Sequence, residues 1–207
     1  MPELDDLGLF PLGLVLLPGE RAPLHLFEPR YRALLADCVL DDRPFVILQA
    51  RGEGAPAIGC TARFTGLGRR FADGRMNVSV IGERVVRVLE ETSGRIYFTA
   101  WAEGVDDDSD VGSDERITEV HDLFERLVNE IAPTAPPPPI RDDIPLSYAV
   151  AGMIEMPVEP KQDLLECRDE DLRLGMVCAI LSAALDGADR ERIAAARART
   201  NGKVALP

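Results

Sequence analysis

The feature that most constrains this chain is a change of hydrophobic period partway along it. From Phe45 to Trp101 the apolar residues fall in short, often β-branched runs separated by turn residues; from Asp114 onward they recur at helical spacing. The switch falls at an acidic segment containing Gly and Ser, residues 103–115. Strands followed by helices argue an α+β fold and against repeated βαβ units. The expected organisation is a β-rich unit over residues 1–104, an acidic solvated linker over 105–115 and a helical unit over 116–207.

Within the first unit, Leu9 to Leu17 is a mostly apolar run stopped by the turn pair Pro18-Gly19. Leu24 to Phe27 reads as a short strand with Leu24 and Leu26 inward and His25 and Phe27 on the opposite face. A helix opens at Glu28-Pro29, because Pro at the first helical position forfeits no hydrogen bond. Glu28 caps that helix or pairs with an Arg. Tyr31, Leu34, Leu35, Cys38 and Val39 form its apolar face, and Asp41 to Pro44 ends it. Strands follow at Phe45–Gln49, Ile58–Thr65, Met76–Val88 with an interruption at Gly82, and Ile96–Trp101. Gly52–Pro56 is a loop, Gly59 marks a bulge or a close backbone approach, and Asp73-Gly74 and Ser93-Gly94 are turns.

In the second unit, Ser113 or Asp114 caps a helix running to Ile131 with Ile117, Val120, Phe124, Leu127, Val128 and Ile131 on one face. Five prolines in Pro133–Pro139 predict an extended spacer. Further helices are expected at Asp143–Met156, Glu159–Glu166 and Asp169–Leu185, the last apolar at Leu172, Met176, Cys178, Ile180, Leu181 and Leu185 and ending near Gly187. The Arg/Ala-rich tail from Asp189 reads as a frayed helix through about Arg199, with Asn201-Gly202 after it.

Charge narrows the function classes. Residues 1–104 carry 12 Arg, no Lys and 14 acidic residues; residues 105–207 carry 11 basic and 22 acidic residues, for a chain net charge of −13. Such a chain repels phosphate backbones, so nucleic acid is a disfavoured partner, and Arg69-Arg70 reads as a solvated hairpin tip. The four cysteines, at 38, 60, 167 and 178, form no C-x-x-C motif, and Cys38 and Cys178 sit among apolar residues as core thiols. The first six residues lack a basic signal-peptide region, and no apolar stretch approaches the ~20 residues of a membrane span. A cytoplasmic protein with no membrane association is expected.

Catalytic arrangements find no support. Gly202-Lys203 fails as a phosphate loop, and Gly66-Leu67-Gly68 opens no helix. His25 and His121 lie in no metal-ligand spacing, there is no G-x-S-x-G, and Lys161 and Lys203 are the two lysines from which a Ser-Lys pair would be drawn. No catalytic residue, cofactor or metal is expected.

The block Leu9 to Cys38, with its Phe10-Pro11-Leu12 run, its Pro18-Gly19 break and Pro23-Leu24-His25-Leu26-Phe27-Glu28-Pro29-Arg30-Tyr31, resembles the opening of the Lon protease N-terminal domain family. Ile58 to Ala62, Asp73-Gly74-Arg75, Val80 to Arg84 and Ser147 to Leu165 are similar to later parts of that domain. The resemblance covers roughly residues 8–186. It implies a PUA-like β pseudo-barrel followed by an α-helical bundle, and a stand-alone copy of a substrate-recognition domain without ATPase or Ser-Lys peptidase modules. The expected function is non-catalytic binding of unfolded or specific partner proteins and peptides, as an adaptor or regulator of protein quality control. A PUA-like RNA-binding or a small-molecule-binding domain is the alternative. His25, Phe27 and Arg30 are the candidate binding residues.

Overall fold

The computed structural model describes residues 3–49, 58–134 and 140–201. The chain runs β1 (Glu3–Leu12), β2 (Arg21–Leu26), α1 (Pro29–Leu40), β3 (Phe45–Gln49), β4 (Ile58–Arg70), β5 (Met76–Thr92) and β6 (Thr99–Gly104), then α2 (Asp114–Ile131), α3 (Leu146–Ala151), α4 (Val158–Glu166) and α5 (Glu170–Asn201). Among the described residues it is a mixed α/β molecule with one six-stranded sheet and five helices. The expected loop at Gly52–Pro56 and most of the Pro-rich spacer lie outside the described residues.

Pairing follows the order β2-β5-β4-β3-β1-β6, and β5 also pairs with β6. The pairings of β5, β4, β3, β1 and β6 therefore form a closed circuit, with β2 outside it. The length of β5 makes this possible: Met76–Ile81 pairs with β2, and Val86–Thr92 pairs with β6. β1 and β3 run parallel, joined by a crossover through β2 and α1; every other pair is antiparallel. Strands with long intervening chain can pair in parallel because a crossover reverses the direction once more.

Gly82 does not interrupt β5. Its N–H donates to Glu20 O at 2.9 Å and its carbonyl accepts from Gly19 N at 2.8 Å. A Cβ there would lie 2.2 Å from Leu17 O, so only glycine lets the Pro18-Gly19 turn clasp the strand. Glu20 then ties the turn to the helical half. Its Oε2 accepts from Leu17 N at 3.0 Å, and its Oε1 meets Lys161 Nζ on α4 at 2.6 Å, with both side chains mostly buried.

α1 begins and ends where Pro29 and the Asp41–Pro44 stretch require. Glu28 makes no side-chain cap bond and instead pairs with Arg30 at 2.8 Å. Tyr31, Leu34, Leu35 and Cys38 are buried, but Val39 is 52% exposed. The same holds at the edges of other predicted stripes: Ile131 on α2 and Leu172 on α5 are 70% and 63% exposed. Helical periodicity marks a stripe about 100° wide, and the packed partner decides where within it burial stops.

Three expectations for the second half of the chain change. The helix predicted from Asp143 is only Leu146–Ala151, because Pro145 holds the backbone extended before it and Asp143 is drawn into a pair with Arg141. The break expected near Gly187 is absent, and α5 runs through it to Asn201, taking in the tail helix. Asp107, in the segment read as solvated, instead folds onto α5 and grips Arg173. Apolar side chains from both parts of the chain join one cluster, from Phe10, Leu24, Leu34 and Phe45 to Phe124, Leu164, Leu174 and Leu181. α2 and α3 pack on α5, whereas α4 lies against β4.

Candidate functional site

The strand alternation at β2 buries Leu24 and Leu26 and turns His25 and Phe27 outward, with Phe27 60% exposed. His25 lies opposite Asn77 of β5, and its Nδ1 is 2.6 Å from Asn77 Oδ1. The imidazole stacks loosely on Phe27, with ring centroids 6.3 Å apart, and meets the edge of Phe71 at 5.8 Å. Phe71 closes the β4–β5 hairpin, where Phe71 N donates to Arg75 O and Gly74 N to Phe71 O. Three rings from two distant segments thus share one solvent-facing rim.

Arginines border these rings. The Arg69 guanidinium lies 4.9 Å and that of Arg75 5.3 Å from the Phe71 centroid. Arg75 also holds Asp73 at 2.6 Å and keeps its carboxyl below the usual carboxylate range, chiefly through hydrogen bonds from the Arg75 backbone and side chain. Arg32 reaches from α1 over the hairpin, with its Nη1 filling the space a Cβ at Gly74 would take. Arg32, Arg69 and Arg70 carry no ion pair among the described residues. Arg30, the third predicted residue, stacks over Tyr31 at 4.5 Å and leans toward Phe98 at 5.6 Å. The structure therefore unites His25 and Phe27 in one ring cluster and turns Arg30 toward a different aromatic pair.

A second concave region opens between the Pro18-Gly19 turn and α3. It encloses about 260 Å³ and is lined by Gly19, Glu20, Arg21, Arg141, Tyr148 and Met153, among others. Arg141 spans it by donating to Gly19 O at 3.2 Å.

Two further polar clusters are structural in geometry. Arg95 bonds Asp6, Asp37 and Tyr97, and Tyr97 O–H donates to Asp37 at 2.6 Å, tying the start of β1 to α1 and the β5–β6 connection. Burial, with the adjacent Asp37 acceptor, pushes the Tyr97 phenol up to about 12. In the helical half, fully buried Arg173 donates to Ser147 Oγ, Glu170, Asp107 and Cys167 O. Ser147 Oγ and N both donate to Glu170, so this hydroxyl is enclosed and committed. Burial pushes the Cys60 thiol up to about 12, away from the thiolate that nucleophilic chemistry needs. His121 is exposed on α2. Among the described residues no group of three His, Cys, Asp or Glu side chains is arranged to hold a metal ion, and no helix is long and apolar enough to cross a membrane.

Phe71, Arg69 and Arg32 escape a reading by local motif, since 46 residues separate Phe71 from His25. The available signal was an aromatic directly after Arg69-Arg70 and before the Asp73-Gly74 turn.

Solved structures similar to this one include a Lon N-terminal domain protein from Xanthomonas campestris, with a TM-score of 0.64 and 24% identity, covering 85% of this chain and 98% of that one. The N-terminal domain of Mycobacterium avium complex Lon protease matches with a TM-score of 0.63 and 20% identity, over 86% of this chain and 98% of that one. These likenesses concern the fold. Residues 6–183 match the family model of the ATP-dependent protease La (LON) substrate-binding domain, and the chain belongs to that family.

Proposed function

We propose that this chain is a non-catalytic module that captures protein segments, built on a PUA-like β pseudo-barrel backed by helices. The observation that carries this function is the ring cluster of His25, Phe27 and Phe71 held at the rim of the sheet and bordered by arginines. A lone exposed Phe needs no explanation, but aromatic side chains beside Arg are the residue types that dominate protein-binding hot spots. Membership of a substrate-binding family supports the same function. The module serves as an adaptor or regulator of protein quality control in the cytoplasm, where the four free thiols remain reduced. Immobilised protein incubated with chemically unfolded proteins tests it. Retention above the matrix background, and its loss in Phe27→Ala, is the expected result; retention no better than the bare matrix defeats the proposal.

A second function, small-molecule binding, draws on the cleft between the Pro18-Gly19 turn and α3. Its volume of about 260 Å³ falls just below the usual range for ligand sites. A ligand there raises thermal stability, since it binds the folded state alone. A metabolite panel that leaves the melting temperature unmoved removes this alternative.

A further inference from the structure

We infer that the rim carrying Phe27 and Phe71 takes an acidic, extended segment of a partner protein. This deepens the function proposed above and rests on it. The charge distribution carries the argument. Residues 21–36 and 62–82 contain seven Arg and two acidic residues, in a chain of net charge −13. Both acids of those two stretches are already paired, Glu28 with Arg30 and Asp73 with Arg75, while Arg63 is held by Asp42 and Glu83 outside them. Arg32, Arg69 and Arg70 keep their charge uncompensated among the described residues, and Arg32 and Arg69 stand at the hairpin that presents Phe71. An isolated basic face on an acidic body attracts carboxylates locally and repels the body's own kind elsewhere.

The same geometry favours a peptide over a nucleic acid. A short acidic segment places its few charges on this face alone. A polynucleotide carries a phosphate at every step, and strands longer than the face run onto the surrounding acidic surface, within reach of repulsion over about 8 Å at physiological salt. Strand addition is not the means of capture. β2, outside the closed circuit of pairings, has an open edge, but Pro23 removes a backbone donor from its middle. Recognition falls to side chains instead: guanidinium groups take carboxylates in two-pronged hydrogen bonds, and Phe27 and Phe71 receive the apolar residues between them.

The test uses fluorescence anisotropy with the full chain and three labelled probes. One is an unstructured peptide alternating Asp or Glu with Leu or Phe. The second has the same sequence with Asn and Gln replacing the acids, and the third is a single-stranded oligouridylate of similar length. The acidic peptide is expected to bind at least about tenfold more tightly than the neutral one, and to weaken as salt rises. The double variant Arg69→Glu/Arg70→Glu, at exposed positions, should lose about tenfold or more in affinity for the acidic peptide with an unchanged melting temperature. Arg69→Lys/Arg70→Lys should retain the salt dependence with weaker binding. Equal affinity for the acidic and neutral peptides overturns the acidic preference but leaves protein capture standing. Binding of none of these peptides and of no unfolded protein overturns both. Tighter binding of the oligouridylate, lost in the double variant, overturns the peptide assignment in favour of nucleic acid. Self-association in sedimentation that the double variant abolishes overturns it in favour of a second copy, whose acidic helical half would be the occupant.

Discussion

Arg173 and Arg69 are chemically identical side chains in opposite settings. Between α3 and α5, Arg173 is wholly buried, covers the Tyr148 ring at 4.4 Å and has Asp107, Glu170, Ser147 Oγ and Cys167 O as acceptors. On the β4–β5 hairpin, Arg69 stands in solvent with an aromatic face and no carboxylate. A buried guanidinium must satisfy its donors inside the fold, since desolvating a charge costs several kcal/mol. An exposed one needs no partner inside the fold, and its donors face water. The contrast separates what holds this molecule together from the surface on which the proposed capture rests.

The largest effect is expected where that contrast is broken from the buried side. Arg173→Ala leaves Glu170 and Asp107 without their cation and should cost about 3–5 kcal/mol in urea unfolding. A loss under ~1 kcal/mol would mean the network is not integral to the fold. Lys161→Ala removes the cation from the mostly buried Glu20 beside the Pro18-Gly19 turn and should cost roughly 1–3 kcal/mol. An unchanged urea midpoint would show that the two backbone bonds at Gly82 hold the turn unaided.

Alkaline pH sharpens the comparison at the core thiols. Burial raises the Cys38 thiol from 9.0 to about 11 and that of Cys60 to about 12. As pH rises past 9.0 the unfolded chain sheds these protons before the folded one does. The unfolded state then binds fewer protons, so the slope of stability against pH is negative. Stability is intact below that point and falls as pH climbs toward the folded values. Urea midpoints measured from neutral to alkaline pH should decline across this window, and Cys60→Ala should decline less steeply; parallel curves would contradict the assignment.

The smallest effect belongs to the exposed side. Phe27→Ala should shift unfolding by no more than about 0.5 kcal/mol, yet reduce retention of unfolded proteins. A large stability loss would reassign Phe27 to the fold and dissolve the contrast.

Much of the candidate site was legible locally. His25 and Phe27 alternate with Leu24 and Leu26, and a strand with one buried face must turn the other outward. Arg30 was legible only as lying off the α1 stripe; its place over Tyr31 depends on how that helix seats against the sheet. Phe71 joins the site because β2 and β4 flank β5, an arrangement no short motif encodes. The segment around Asp107 misled for a related reason. An acidic run is solvated unless a distant cation claims one of its members, and the claimant, Arg173, lies 66 positions away.

The sequence by itself determined the features that a few neighbouring residues decide. Pro29 starts α1 and the residues before Pro44 end it, Phe45–Gln49 is a strand, and α2 opens at the Ser113-Asp114 pair, where the structure makes Ser113 the cap, its Oγ accepting from Arg116 N. These follow from backbone sterics and side-chain period, which act within a turn or a strand. Only the tertiary structure decided which edge of the predicted stripes stays wet, that β5 serves both β2 and β6, that β1 and β3 run parallel, and which arginine is sealed in and which is left facing water. Each of those depends on contacts between residues far apart in the chain, where burial and charge pairing outweigh local preference.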